Sequence, residues 1–199
     1  MAISIAVVGG GRLGTAMGKQ LAAGGYRLTG VCCRTKASAL RAAKVMGTDM
    51  AVTDPLEITK QAQLVLITTP DDTIAETCEA IARRNGFSEG AIVLHCSGSL
   101  PSTILKTPGN ARAATGSFHP LQSFAAGDMS GKNPFYGIVA AIEGDEQAVK
   151  TAKQLGEALE VTCFTIRTGS KSLYHAAAVV ASNYLVSLVD VAFVFLESA

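Results

Sequence analysis

Charge is scarce in this sequence. Asp, Glu, Lys and Arg make up 17% of its 199 residues, against about 25% in an ordinary soluble domain. A surface so sparsely charged implies extra burial, most simply in an interface between subunits. The formal net charge is +1, too small to gather nucleic acid or an anionic membrane, and neither partner is expected. The five cysteines, Cys32, Cys33, Cys78, Cys96 and Cys163, are odd in number and form no CxxC pair or Cys/His cluster. A disulfide framework and a metal site are therefore not expected. Most of these thiols lie in apolar runs, where they behave as small hydrophobes. A signal peptide is also not expected, because the first strand-like run starts at Ile3, with no charged segment and apolar core ahead of it. These features fit a reducing cytoplasm. The chain shows no internal repeat, low-complexity tract or evident linker, and its length suits one full domain better than two.

Glycine, by contrast, is placed with purpose. The β-branched run Ile3-Ser4-Ile5-Ala6-Val7-Val8 ends in Gly9-Gly10-Gly11-Arg12-Leu13-Gly14, and a helical pattern follows from Thr15 to Ala23. Strand, tight glycine turn and helix N-terminus together form the context of a dinucleotide fingerprint. Gly9 permits the sharp turn, Gly11 lets backbone approach a pyrophosphate, and Gly14 lets helix pack on strand. With Arg12 and Leu13 between them, these glycines present free amides and the positive end of the helix dipole to phosphates. The alternative is a glycine turn of purely structural use.

A second strand is expected over Tyr26–Cys33, followed by Arg34-Thr35-Lys36. An NAD site carries an Asp or Glu about 20 residues beyond the fingerprint, to grip the ribose 2′-hydroxyl. No acid stands here. Arg34 and Thr35 can instead bind a 2′-phosphate, with Lys36 adding positive charge, so NADP is favoured over NAD. A solvated basic loop is the other reading.

Further along, the pattern predicts a helix over Ala37–Met46 closed by Gly47, a short strand at Met50–Val52 and a short helix opened by Asp54-Pro55. Ala62–Thr68 is a continuous apolar run, the mark of a central parallel strand. It leads to Thr69-Pro70-Asp71-Asp72 and a helix over Thr73–Arg84. Ligands of such sheets bind beyond the strand carboxyl ends, so the Thr69-Pro70 loop is expected to face the cofactor. The strand Ala91–Cys96 carries Ser97 at the same end, either beside a reactive ring or capping a helix that starts near Pro101. His95, inside that strand, reads as a core histidine. A strand over Ala113–Phe118 delivers His119 to a strand–loop junction, open to a ligand or satisfied by backbone carbonyls. A glycine- and polar-rich loop to Asn133, a strand over Phe135–Ile142, a helix Glu146–Leu159 capped by Asp145, and a strand over Val161–Ile166 complete an α/β pattern.

From Lys171 to Glu197 the chain has no Gly or Pro and is almost wholly apolar. A membrane helix needs about 20 apolar residues with few polar ones, but His175, Asn183 and Asp190 interrupt this one. Lys171 and His175 are one turn apart, with Ser182 and Asn183 two turns beyond. Buried polar groups need partners, which a ligand, a cofactor or a second subunit could supply. Such a helix cannot bury its whole length on one α/β sandwich. It either packs against another chain or belongs to a longer protein.

Four stretches carry a family resemblance: Gly9 to Gly14, Leu94-His95-Cys96-Ser97-Gly98, Ser117-Phe118-His119-Pro120-Leu121-Gln122-Ser123-Phe124, and Tyr174 through Asn183. Over essentially its whole length the chain resembles Rossmann-type proteins with a C-terminal domain of unknown function, labelled as candidate NADP oxidoreductases. The wider superfamily includes the β-hydroxyacid dehydrogenases, 6-phosphogluconate dehydrogenase and pyrroline-5-carboxylate reductase. The resemblance implies an N-terminal Rossmann domain, residues 1–168, and the start of an all-helical domain, residues 169–199, that forms a homodimer and completes the active site. It places Thr69-Pro70 on the cofactor, Ser97 near the nicotinamide and the His119 segment in the substrate loop. The β-hydroxyacid dehydrogenases carry a catalytic lysine with an asparagine one turn later. Lys171 and His175 have that spacing here, with histidine in the asparagine place. If His175 takes the lysine place, Val179 is one turn on and Asn183 two.

The expected fold is a doubly wound α/β sheet followed by the first long helix of a helical domain. The expected activity is NADP(H)-dependent hydride transfer to or from a small carbonyl, imine or hydroxy substrate. Ser97, His119 and His175 would surround the reacting carbon, and Asn183 would stand on the same stripe. A histidine of near-neutral pKa suits a proton donor, and Lys171 is a second candidate or an anchor for a substrate carboxylate. A non-catalytic NADP(H)-binding sensor is the alternative.

Overall fold

The computed structural model describes residues 3–107, 112–124 and 133–199. Most of the loop expected between Phe124 and Asn133 lies outside the described residues. Eight strands form one sheet in the order β3-β2-β1-β4-β5-β6-β7-β8. They span Ser4–Val8 (β1), Arg27–Cys32 (β2), Ala51–Val52 (β3), Leu64–Ile67 (β4), Ile92–His95 (β5), Ala114–Pro120 (β6), Val139–Gly144 (β7) and Thr162–Thr165 (β8). The central strands β1, β4 and β5 are buried at every residue, as unbroken apolar runs in a parallel sheet require.

Because side chains alternate along a strand, the central strands feed two cores. Ile5, Val7, Leu64, Leu66 and Leu94 pack with Met17, Leu21, Met46, Leu155 and Leu159, on helices Arg12–Ala23 (α1), Lys36–Met46 (α2) and Glu146–Leu159 (α5). Ala6, Val8, Val65, Ile67 and Val93 pack instead with Ile58, Ile74, Cys78 and Ile81, on helices Leu56–Thr59 (α3) and Asp71–Arg83 (α4). Helices therefore cover both faces, and the fold is the doubly wound α/β sheet that the sequence pattern predicts.

Several local expectations change. β6 runs two residues further than its pattern suggests, so His119 lies in the strand, paired with Ala141, rather than at its junction with the loop. β6 and β7 are antiparallel: a parallel return needs a long crossover, and the described residues between them form no helix. The strand expected from Phe135 starts at Val139, because Phe135 turns inward as a fully buried anchor of the first core. The helix expected near Pro101 is a single 3-10 turn, Ser102–Ile104. Asp145 stands at the α5 N-cap, but its carboxylate accepts from the Thr115 amide (2.6 Å) and hydroxyl (3.2 Å) and not from the helix.

After β8 a 3-10 turn leads into one continuous helix: Lys171–Val179 (α6), a π-helical segment Val180–Tyr184, and Leu185–Glu197 (α7). Thr168–Glu197 is long and apolar enough to cross a membrane, and its most apolar stretch is wholly unburied.

Candidate functional site

The glycine turn is shaped by three different constraints. Gly9 has a positive φ of 114°, and a Cβ there would lie 2.6 Å from the Thr68 carbonyl carbon. A Cβ on Gly14 would strike the Gly9 carbonyl oxygen at 2.1 Å, whereas one on Gly11 would meet nothing within 4 Å. Thr68 Oγ1 donates to the Gly9 carbonyl at 2.6 Å and so ties the turn to the end of β4. α1 has neither a side-chain cap nor an acid in its first turn, which leaves its amides and dipole free for an anion. Beside it, Thr69 Oγ1 is buried without a hydrogen-bond partner. Open space at Gly11, an uncapped helix start and an orphaned hydroxyl fit a pyrophosphate. Arg12 Nη1 reaches the Phe124 carbonyl at 3.5 Å, and Leu13 packs against the first core.

At the end of β2, Arg34 is exposed. Thr35 is the α2 N-cap, accepting from the Ser38 amide at 3.3 Å. Lys36 Nζ donates to the Ala51 carbonyl at 2.5 Å, so its charge is pinned toward β3, while Arg34 makes no side-chain hydrogen bond among the described residues. Gly10 packs against Cys33, whose sulfur lies 2.6 Å from where a Cβ would stand.

The second half of the site gathers at the carboxyl ends of β5 and β6. Ser97 Oγ donates to Asp71 Oδ2 at 2.7 Å and accepts from the Ser99 and Leu100 amides at 3.2 and 3.1 Å. Its hydroxyl thus fixes the turn after β5 to the start of α4. Over Gly98 two imidazoles meet: a Cβ there would lie 2.5 Å from His175 Nδ1 and 2.7 Å from His119 Nε2. Only glycine admits both rings. Their centroids are 6.0 Å apart, edge to face. His119 Nδ1 lies 2.9 Å from the Tyr174 hydroxyl, while His175 Nδ1 is buried with no partner.

Beneath these rings runs a polar row. His95, Ser117 and Glu143 are register partners across β5, β6 and β7, at 0%, 0% and 2% exposure. Paired positions on neighbouring strands share a face. Lys171, 1% exposed at the start of α6, donates its Nζ to Ser117 Oγ. Glu143 accepts from the Ser102 amide (2.8 Å) and hydroxyl (2.7 Å). Burial, only partly offset by the negative charge of Glu143, pulls the Lys171 ammonium down to about 8. Burial first, then the Lys171 charge, takes His95 and His119 each down to about 4. Both imidazoles are neutral at pH 7. His95 Nδ1 accepts from the Ser97 amide at 3.2 Å, in keeping with a core histidine.

His119, His175, Lys171 and Ser97 are thus brought together. Asn183 is not: it is exposed in the π-helical segment, and its Oδ1 accepts from Ser182 Oγ at 2.8 Å. Sequence reasoning missed Glu143, Tyr174, Asp71 and Gly98 as members of the site. Glu143 left one trace, an acid ending an apolar strand. Tyr174 stands next to His175 in a motif already singled out.

The model of a Rossmann-like domain matches residues 1–120, and that of a domain of unknown function (DUF2520) matches residues 138–199. Protein TM1727 from Thermotoga maritima is 30% identical, with 92% of this chain and 65% of that one aligned and a TM-score of 0.68. A candidate NADP oxidoreductase, BF3122 from Bacteroides fragilis, is 24% identical over 99% of this chain and 73% of that one, with a TM-score of 0.78. A pyrroline-5-carboxylate reductase from Coxiella burnetii shares the fold at 14% identity, over 100% of this chain and 72% of that one, with a TM-score of 0.75. The chain spans under two thirds of the TM1727 length. No curated protein matches it.

Proposed function

From a chain that belongs to the Rossmann-like domain family, we infer an NADP(H)-dependent oxidoreductase that moves a hydride to or from a small carbonyl, imine or hydroxy substrate. One observation carries this reading. The glycine turn after β1, Thr69-Pro70 after β4, Ser97 after β5 and His119 near the end of β6 all lie at the carboxyl ends of adjacent parallel strands, where doubly wound folds bind their ligands. Gly9, Gly11, Arg12, Leu13 and Gly14 would hold the pyrophosphate, Arg34 and Thr35 the 2′-phosphate, and Thr69 and Pro70 the dinucleotide between them. When bound, the nicotinamide would donate or accept the hydride.

The chain's own residues orient the substrate and manage the proton. His119 and His175 present ring nitrogens over Gly98, within reach of a substrate oxygen or nitrogen. As a neutral ring, His119 acts as a hydrogen-bond donor rather than as an imidazolium acid. Lys171, with its pKa near 8, is protonated at pH 7 and matched to proton transfer near neutrality. The exposed apolar face of α7, from Leu185 to Leu196, is assigned to a homodimer contact, and sedimentation with and without detergent distinguishes a dimer from a membrane-associated chain.

The test is NADPH consumption against a panel of small ketones, aldehydes and imines. Turnover lost in the His119→Ala, His175→Ala double variant supports the assignment, and full rates in that variant end it. Tight NADPH binding without turnover on any substrate favours the non-catalytic sensor, a reading supported by the exposure of Asn183 away from the cluster.

A further inference from the structure

Tyr174 has no role in the reading above, yet its hydroxyl is the one side-chain hydrogen-bond partner of His119 among the described residues, 2.9 Å from Nδ1. The phenol ring is held on three sides. Phe164 meets it edge to face at 5.9 Å between centroids, His119 meets it at 5.7 Å and 81°, and Lys171 Nζ lies 6.0 Å from its centroid.

Elementary acidity decides which group donates. A phenol O–H is a far stronger acid than a neutral imidazole N–H, and an imidazole nitrogen is a stronger base than a phenol oxygen. These acidities favour O–H···Nδ1 for the pair, with the ring in the matching tautomer. Burial raises the Tyr174 pKa, which keeps the phenol protonated as a donor. The His119 ring is neutral at pH 7 and holds one proton. With Nδ1 accepting, that proton sits on Nε2. This is the nitrogen that faces Gly98, where His175 Nδ1 also converges without a partner.

We propose that Tyr174 is a positioning residue that locks His119 in its Nε2–H tautomer and so presents one fixed donor over Gly98. The identity of the acceptor, a substrate oxygen or nitrogen, rests on the oxidoreductase reading; the tautomer does not. A ring free to exchange tautomers would offer a donor for only part of the time and an acceptor for the remainder. With Tyr174 on Nδ1, any partner of His119 Nε2 must be a hydrogen-bond acceptor.

Long-range proton–nitrogen correlation spectra of the histidine side chains test this on the ligand-free protein at pH 7. The chain has three histidines, and His119→Asn and His175→Asn assign the signals. The wild type is expected to show His119 as a single Nε2–H tautomer. Tyr174→Phe, which removes the hydroxyl and keeps the ring, is expected to give a mixture with a substantial Nδ1–H population. Phe164→Leu, which loosens the ring and keeps the hydroxyl, is expected to retain Nε2–H. An Nδ1–H ring in the wild type overturns the proposal. So does a pure Nε2–H ring in Tyr174→Phe, or a mixture in Phe164→Leu. NADPH fluorescence on the same samples reports the cofactor site separately, so failure of the oxidoreductase reading and failure of this lock are distinct results.

Discussion

Lys171 Nζ donates to Ser117 Oγ, and through this bond the first turn of the long helix is fastened to the centre of the polar row His95–Ser117–Glu143. Lys171 is 1% exposed, so bulk water has little access to its ammonium if the hydroxyl is removed. Ser117→Ala is expected to cost about 1–3 kcal/mol, the penalty for a buried donor left unpaired. Urea denaturation of the variant beside the wild type measures it. A change below about 0.5 kcal/mol would show that the ammonium has another partner.

The turn glycines divide by what surrounds them. Gly14→Ala drives a Cβ onto the Gly9 carbonyl oxygen and is expected to destabilise by about 1–3 kcal/mol, as overpacking does. Gly11→Ala meets open space, and its stability should stay within about 0.5 kcal/mol. Yet its methyl stands where a pyrophosphate would approach. NADPH affinity should fall by at least about tenfold, or about 1.4 kcal/mol. Thermal melts and fluorescence titration separate the two effects. Gly11→Ala with unchanged affinity would remove the pyrophosphate from this turn.

Acid should weaken the fold through its histidines. His95 and His119 are lowered from 6.5 to about 4 in the folded chain, by burial before all else. Between those values the unfolded chain binds more protons than the native one, so stability is complete above about 6.5 and falls as pH drops toward about 4. The combined loss is on the order of a few kcal/mol, and denaturation at about pH 7 and about pH 4.5 reads it. A His119→Asn variant should lose part of this slope. An unchanged slope would mean that the ring is solvated.

Much of this architecture was legible in the residues. Continuous apolar runs marked β1, β4 and β5, and the glycine spacing marked the turn before α1, because burial on both faces and a crowded turn each leave a local signature. The reversed β7 did not, because strand direction depends on the connection between strands and not on their composition. The same limit hid the polar row. His95, Ser117 and Glu143 are far apart in the chain, and only strand register puts them side by side. His119 was found, but as a junction residue. Its low pKa comes from burial and from Lys171, a neighbour 52 positions away.

Selectivity between the two nicotinamide dinucleotides tests the central claim most directly. Nicotinamide fluorescence titrations with NADPH and NADH, on the wild type and on Arg34→Ala, compare the two. Tighter binding of NADPH is expected, with Arg34→Ala losing about 10- to 100-fold for NADPH, as for a charge-assisted bond worth about 1.5–3 kcal/mol, and little for NADH. Equal binding of both dinucleotides, unchanged in Arg34→Ala, would contradict the 2′-phosphate site, and binding of neither would leave the glycine turn a purely structural feature.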